Sequence, residues 1–310
     1  MEIEPAPAAS SHPRNIVLFN DRGLRAGWRL LIYIALLAFL IVVVLFPLAL
    51  KTQPEAIKHG ILTPAQALGE GVGFLLFLFA AFIMSLIEKS NMGEYGLPIK
   101  RTPVLRRFFT GYVFWGFLPL SVCLLIMRLF HAYSFGSLEL HGTSILIWGI
   151  EWGVVFLFVG LSEEYLLRGY ALYTLAEGIG FWPAVIVLAV LFGIGHSGNP
   201  GETRIGLISV VAFALFASTA LKYTGNLWLA VGAHAGWDWG QSFFYGVSDS
   251  GLRAQGRLLA PTFSGPAWLT GGSVGPEGSV IALILLGIMT GAILVFYRRR
   301  PELVVAESKI

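Results

Sequence analysis

Two adjacent carboxylates, Glu163 and Glu164, and one arginine, Arg168, stand in "LSEEYLLRG" within a run of Val, Leu, Phe and Tyr. An ionisable residue in an apolar span is costly and faces a protein interior or a watered cavity, where it serves a function. Glu164 and Arg168 are four apart with the acid first, the favourable order for a helical ion pair. That spacing predicts a buried pair that neutralises both charges. Glu163 is left over, about 100° around the helix from Glu164, and addresses a different neighbour. Two further sites carry chemistry-bearing side chains. His234 and Asp238, in "HAGWD", are again four apart on one face, and a carboxylate one turn from an imidazole can fix its tautomer or hold it charged. His196 closes "FGIGH".

Together these residues suit hydrolysis by activated water. An unpaired Glu163 can act as general base, with a histidine beside it to share the proton or orient the water. A second histidine with its Asp can supply a donor to an oxyanion. Amide hydrolysis is the natural candidate. Serine chemistry fits less well, because Ser162 lacks a GxSxG context and lies about 100° from Glu163 on a helix. Cysteine chemistry fits less well again, because the single cysteine, Cys123, is far along the chain. A metal site is the rival version: Glu163, His196 and His234 could hold zinc with an open position, although the helical HExxH pattern is absent. The metal-free version is favoured. Glu70 and Glu151 stand near predicted helix starts and read as interfacial.

The elements that must position these groups are membrane helices. The chain has 310 residues, 56% hydrophobic and only 13% charged, with a net charge of +3 and a mean hydropathy of +0.74. A soluble domain carries roughly twice that charge. The composition predicts an all-α polytopic membrane protein and points away from nucleic-acid partners. About eight spans are expected, each needing roughly 20 apolar residues, near 28–50, 68–88, 108–130, 145–176, 182–197, 205–222, 226–245 and 279–297. The first run is too long for a signal-peptide core. The division is a 1–27 tail with a Pro-rich, disordered start, transmembrane helices over 28–140, a catalytic core over 141–245, a Gly-rich loop over 246–278 without hydrophobic period, and a last helix with a basic tail over 279–310.

Lys and Arg concentrate in the N-terminal tail, the loop after the second span (Lys89, Lys100, Arg101, Arg106, Arg107) and the C-terminal end (Arg298, Arg299, Arg300). The positive-inside rule then places both termini in the cytoplasm of a bacterial-type plasma membrane, and the same bias points the opening of the site to the cytoplasm. With the fourth span leaving the membrane near Ala176, Glu163 lies roughly 20 Å inside; with entries near Trp182 and Asn226, His196 lies roughly 21 Å inside, and His234 and Asp238 roughly 12 and 18 Å. Three helices thus bring the set to similar depth.

The three motifs resemble those of the CPBP family, which groups CAAX proteases (type II CAAX prenyl endopeptidase-like) with bacteriocin-processing enzymes. "EEYLLR" resembles its EExxxR motif, "FGIGH" its FxxxH motif and "HAGWD" its HxxxN/D motif, in the family's order. The resemblance covers roughly Leu146 to Tyr245, with softer similarity in "GPEG". It implies an intramembrane endopeptidase in which Glu163 and His196 activate water, His234 and Asp238 stabilise the oxyanion, and Glu164 and Arg168 hold the architecture or help position substrate. Where Asn stands in some members, Asp238 could donate only if protonated; ionised, it would orient or charge His234. The substrate would be a peptide or protein, with prenylated and membrane-associated ones among the candidates. Two other classes fit the same residues: a proton-coupled transporter or relay, and a non-catalytic immunity or scaffold protein.

Overall fold

A bilayer offers no water to backbone N–H and C=O groups, so long apolar runs close their own hydrogen bonds as helices. In a computed structural model, which describes residues 17–20, 23–48, 59–98 and 103–297, six helical stretches are long and apolar enough to cross a membrane. The Pro-rich start, the basic C-terminal tail, Lys51, Lys58, Lys100 and Arg101 lie outside the described residues.

The helices are α1 (Ala26–Leu40, carried to Leu48 through a π-turn), α2 (Pro64–Glu88), α3 (Val104–Leu129, with a π-segment at Gly111–Phe117), α4 (Thr143–Arg168), α5 (Tyr170–Ile179), α6 (Phe181–His196), α7 (Arg204–Thr224), α8 (Trp228–Asp238, prolonged by a π-turn to Phe244) and α9 (Val280–Tyr297). The all-α membrane class is therefore as expected. The count of eight holds if the shorter α6 and α8 are included.

One expectation is corrected. The fourth segment is not one helix to Ala176. It ends at Arg168, and Gly169 breaks it with φ −81° and ψ −127°. A Cβ at Gly169 would overlap the Tyr165 carbonyl, so a residue without one is required there. The chain restarts as α5, whose Tyr170 hydroxyl bonds to Glu88 at the end of α2. Its Glu177 pairs with Arg29 at the start of α1, and Arg29 also holds Glu88 at 2.7 Å. The depth reckoned from Ala176 along a straight helix therefore does not apply.

The helix that carries His234 and Asp238 is held by backbone contact. Gly232 and Gly236 on α8 face α3 so closely that a Cβ would overlap the carbonyls of Phe108 and Tyr112. Gly111 and Gly116 on α3 return the contact against Leu229 and Ala233. Between membrane helices, where lipid is as apolar as Leu, such small-residue packing supplies the association.

The face at which α2, α4 and α9 begin carries a cap. Strand β3 (Ile61–Leu62) pairs in parallel with β5 (Arg253–Ala254), and β4 (Tyr133–Leu138) pairs antiparallel with β6 (Leu259–Phe263). A further two-residue hairpin, β1 (Phe19–Asn20) with β2 (Gly23–Leu24), precedes α1. The Gly-rich loop over 246–278 thus contributes strands β5 and β6. Trp152 Nε1 donates to the Gln255 carbonyl at 2.9 Å and ties this cap to α4.

Candidate active site

Glu164 is fully buried and Arg168 nearly so, and their side chains meet at 3.0 Å as the four-residue spacing predicts. The same Glu164 oxygen accepts from Nδ1 of His234, also at 3.0 Å. Glu164 is thus a partner of the imidazole that the spacing did not give, beside the expected Asp238. Glu164, not Asp238, sits at hydrogen-bond distance and sets the ring's orientation, because α4 packs its Gly160 against the Val231 carbonyl on α8 and so brings the two helices close. Asp238 lies 3.5 Å from Nε2, and Glu163 lies 3.7 Å from the same nitrogen. Nε2 therefore stands between two carboxylates, while Nδ1 is committed to a third.

His196 is half-buried. Its Nδ1 lies 2.9 Å from the Phe192 carbonyl one turn back, and its ring meets Phe192 edge-on at 4.3 Å. With Nδ1–H donating there, Nε2 is the free nitrogen. The Arg168 guanidinium lies over the same Phe192 ring, 5.3 Å from its centre.

Glu163, His196, His234 and Asp238 line one cavity of about 320 Å³. Glu164 and Arg168 do not line it; they form its support. The side chain of Glu163 is 28% exposed, against 0% for Glu164, so adjacent carboxylates occupy opposite environments. Glu151 is exposed.

Several cavity residues were not anticipated. Glu70, read as interfacial, lines the cavity beside the Ser162 hydroxyl. Asp249 and Glu277 line it from the cap. Ser242 donates to Asp249 at 2.9 Å, the Ser250 amide donates to Glu277 at 2.8 Å, and Gln241 bonds both Glu277 and the Ser248 carbonyl. Burial raises the Asp249 carboxyl to about 6 and raises Glu277 as well, with the Asp249 charge adding to the Glu277 shift. The signal in the sequence was small: two acids in a Gly-rich loop, one inside "GPEG". Their meeting depends on Gly275, whose φ of +130° only glycine adopts without strain.

Among the described residues, no group of three His, Cys, Asp or Glu side chains converges closely enough to hold a metal ion. His196 and His234 each have one ring nitrogen committed to an oxygen acceptor, and the set Glu163, His196 and His234 does not close into a ligand cluster.

Comparison with known proteins bears on this same core. Residues 147–240 match the family described as type II CAAX prenyl endopeptidase Rce1-like. Over this segment the chain is similar to that family. It runs from the start of α4 to the π-turn after α8 and contains every residue of the EExxxR, FxxxH and HxxxD patterns. The match supports a CAAX-type membrane peptidase at the level of the family. No curated protein and no solved structure matches the chain.

Proposed function

We propose that this chain is an intramembrane endopeptidase in which Glu163 activates the attacking water, with His196 orienting that water or sharing its proton. His234 with Asp238 stabilises the tetrahedral oxyanion. The observation that carries the reading is the division of labour around His234. Glu164, itself paired with Arg168, takes Nδ1, and this leaves Nε2 in the cavity between Glu163 and Asp238. A neutral ring with its proton on Nδ1 would offer Nε2 only as an acceptor. A charged ring, balanced by the surrounding carboxylates, offers Nε2–H as a donor to the oxyanion. Asp238 in this scheme is ionised and supports that charge.

The reaction forms a bond between the water oxygen and the peptide carbonyl carbon as Glu163 takes the water proton. The intermediate then collapses, the C–N bond breaks, and the proton passes from Glu163 to the leaving amine. Positioned general acid–base groups contribute about 10²–10⁴ in rate.

The test is cleavage of a pooled peptide library by the purified protein in detergent, wild type beside Glu163→Ala, each with and without a strong chelator. Cleavage lost in the variant and retained with chelator is the expected result. Cleavage abolished by the chelator overturns the metal-free mechanism. Equal cleavage by the two proteins overturns the assignment of Glu163. Proton transport sensitive to Glu163→Gln, without peptide cleavage, would favour a relay.

A further inference from the structure

We infer that a second cavity, where α3, α7 and α9 reach one end of the bundle, binds a phosphate-bearing anion, and that the anion at this level is the headgroup of an acidic membrane lipid. The inference does not rest on the proposed peptidase reaction.

The first observation is the sign of the lining. The cavity encloses about 290 Å³ and is lined by Arg106 and Arg107 together with Thr110, Tyr223 and Tyr297. No Asp or Glu among the described residues lines it. The cavity at Glu163 has the opposite character: five carboxylates and no Lys or Arg among the described residues line its 320 Å³. Guanidinium groups are planar arrays of N–H donors that meet phosphate oxygens in pairs of hydrogen bonds. Arg107 is set in place by donating to the Thr224 carbonyl. Arg106 is exposed, and no ion pair among the described residues engages it. The hydroxyl-bearing Thr110, Tyr223 and Tyr297 add neutral donors to the same lining. The volume is near the lower bound of roughly 300 Å³ for small-molecule sites, which suits a headgroup and not a whole lipid.

The second observation is the level of the cavity. Arg106 and Arg107 lie in the first turn of α3, Tyr223 is the last residue but one of α7, and Tyr297 is the last of α9. Each of these three helices is long and apolar enough to cross a membrane, so the cavity sits where three spans meet the bilayer surface. Lipid phosphates lie at that depth, and basic pockets between membrane helices hold such headgroups. Tyrosine is enriched at the same level.

The third is the apolar surface beside it. Leu105 and Phe109 on α3 and Phe296 on α9 are each more than half exposed. They flank the cationic residues in sequence and offer acyl chains a place to lie once the headgroup is held. A free phosphate would use the arginines alone; a lipid uses both surfaces. Leu229, in the first turn of α8, lines the cavity as well. An occupant therefore braces the ends of α3, α7 and α9 against the helix that carries His234.

Thermal unfolding tests this, because a ligand of the folded state raises Tm with its concentration. The purified full chain in neutral detergent is titrated with phosphatidylglycerol, with phosphatidylcholine, and with inorganic phosphate against chloride at equal ionic strength. Arg106→Gln removes the exposed cation. Tyr297→Phe, which loses only a hydroxyl, carries the comparison if the first variant does not fold. Arg253→Gln removes an exposed cation of the cap and is the control. The expected result is that phosphatidylglycerol raises the Tm of the wild type and of Arg253→Gln, that phosphatidylcholine does not, and that Arg106→Gln needs about tenfold more lipid for the same rise, with Tyr297→Phe in between. A rise with inorganic phosphate as large as that with phosphatidylglycerol, weakened by the same variants, supports the phosphate site and overturns the lipid as its occupant. Equal responses to the two lipids overturn the proposal. So does a response to phosphatidylglycerol that Arg106→Gln and Tyr297→Phe leave unchanged, and so does the absence of any rise with either anion.

Discussion

Glu163 and Glu164 are neighbours in sequence and belong to two different regions. Below the site, Glu164, Arg168, Tyr165, Leu227 and Val231 form a solid layer in which each charge has a partner. Above it, Glu163 faces a cavity shared with Glu70, Asp238, Asp249 and Glu277, where carboxylates outnumber cations. The layer fixes one imidazole nitrogen; the cavity leaves the other nitrogen and Glu163 open to water and substrate. Adjacent positions on a helix point about 100° apart, so one motif can supply both a support and a reacting group. The difference teaches that charge in a membrane interior is tolerated in two ways, by pairing or by water, and that only the second leaves a group free to react.

The comparison can be broken from either side. The largest expected effect is on rate: Glu163→Gln lowers peptide cleavage by about 10²–10⁴ with little change in thermal unfolding, whereas a structural role would move both. Next is Arg168→Met, which leaves Glu164 buried without its cation and costs about 3–5 kcal/mol, read as a fall in Tm in detergent and a loss of activity that follows folding. Comparable destabilisation is expected of Gly232→Leu, because the side chain has nowhere to go against the Phe108 carbonyl. A Tm unchanged in either variant would remove the solid layer from the comparison.

A smaller effect separates the cap from the layer. The Asp249 carboxyl is raised by burial to about 6 in the folded protein, above its ordinary value near 3.8. A raised carboxyl favours the protonated fold, so the stability it contributes is present below about pH 4 and is lost as pH rises through about 6. Asp249→Asn, which cannot ionise, should flatten that part of the profile and protect the cap amides at pH 8, followed by hydrogen exchange at Leu252–Ala254. The smallest effect is at the surface: Glu139→Gln removes an exposed partner of Arg257 and should cost about 0–1 kcal/mol.

Much of the lower layer was legible in the sequence. The i, i+4 spacing of Glu164 and Arg168 gave their pair, because a helix brings such positions onto one face whatever surrounds it. Composition gave the membrane class, because backbone in a bilayer has few solutions. The three motifs gave the residues that line the cavity from α4, α6 and α8. What spacing could not give was the partner of His234. On α8 alone, Asp238 is the obvious acid; Glu164 wins through the close packing of α4, which is a property of two helices and not of one. The break at Gly169 was hidden for a similar reason, since an apolar run looks the same whether it is straight or turned.

The sequence by itself determined the membrane-embedded helices, the buried ion pair and the side chains proposed to react, since each depends on local periodicity and on the cost of charge in an apolar medium. Only the tertiary structure decided that Glu164 reaches the imidazole and that Glu70, Asp249 and Glu277 share its cavity. Those outcomes depend on contacts between residues far apart in the chain, where a single glycine that lets two backbones touch, or turns a loop inward, sets what meets.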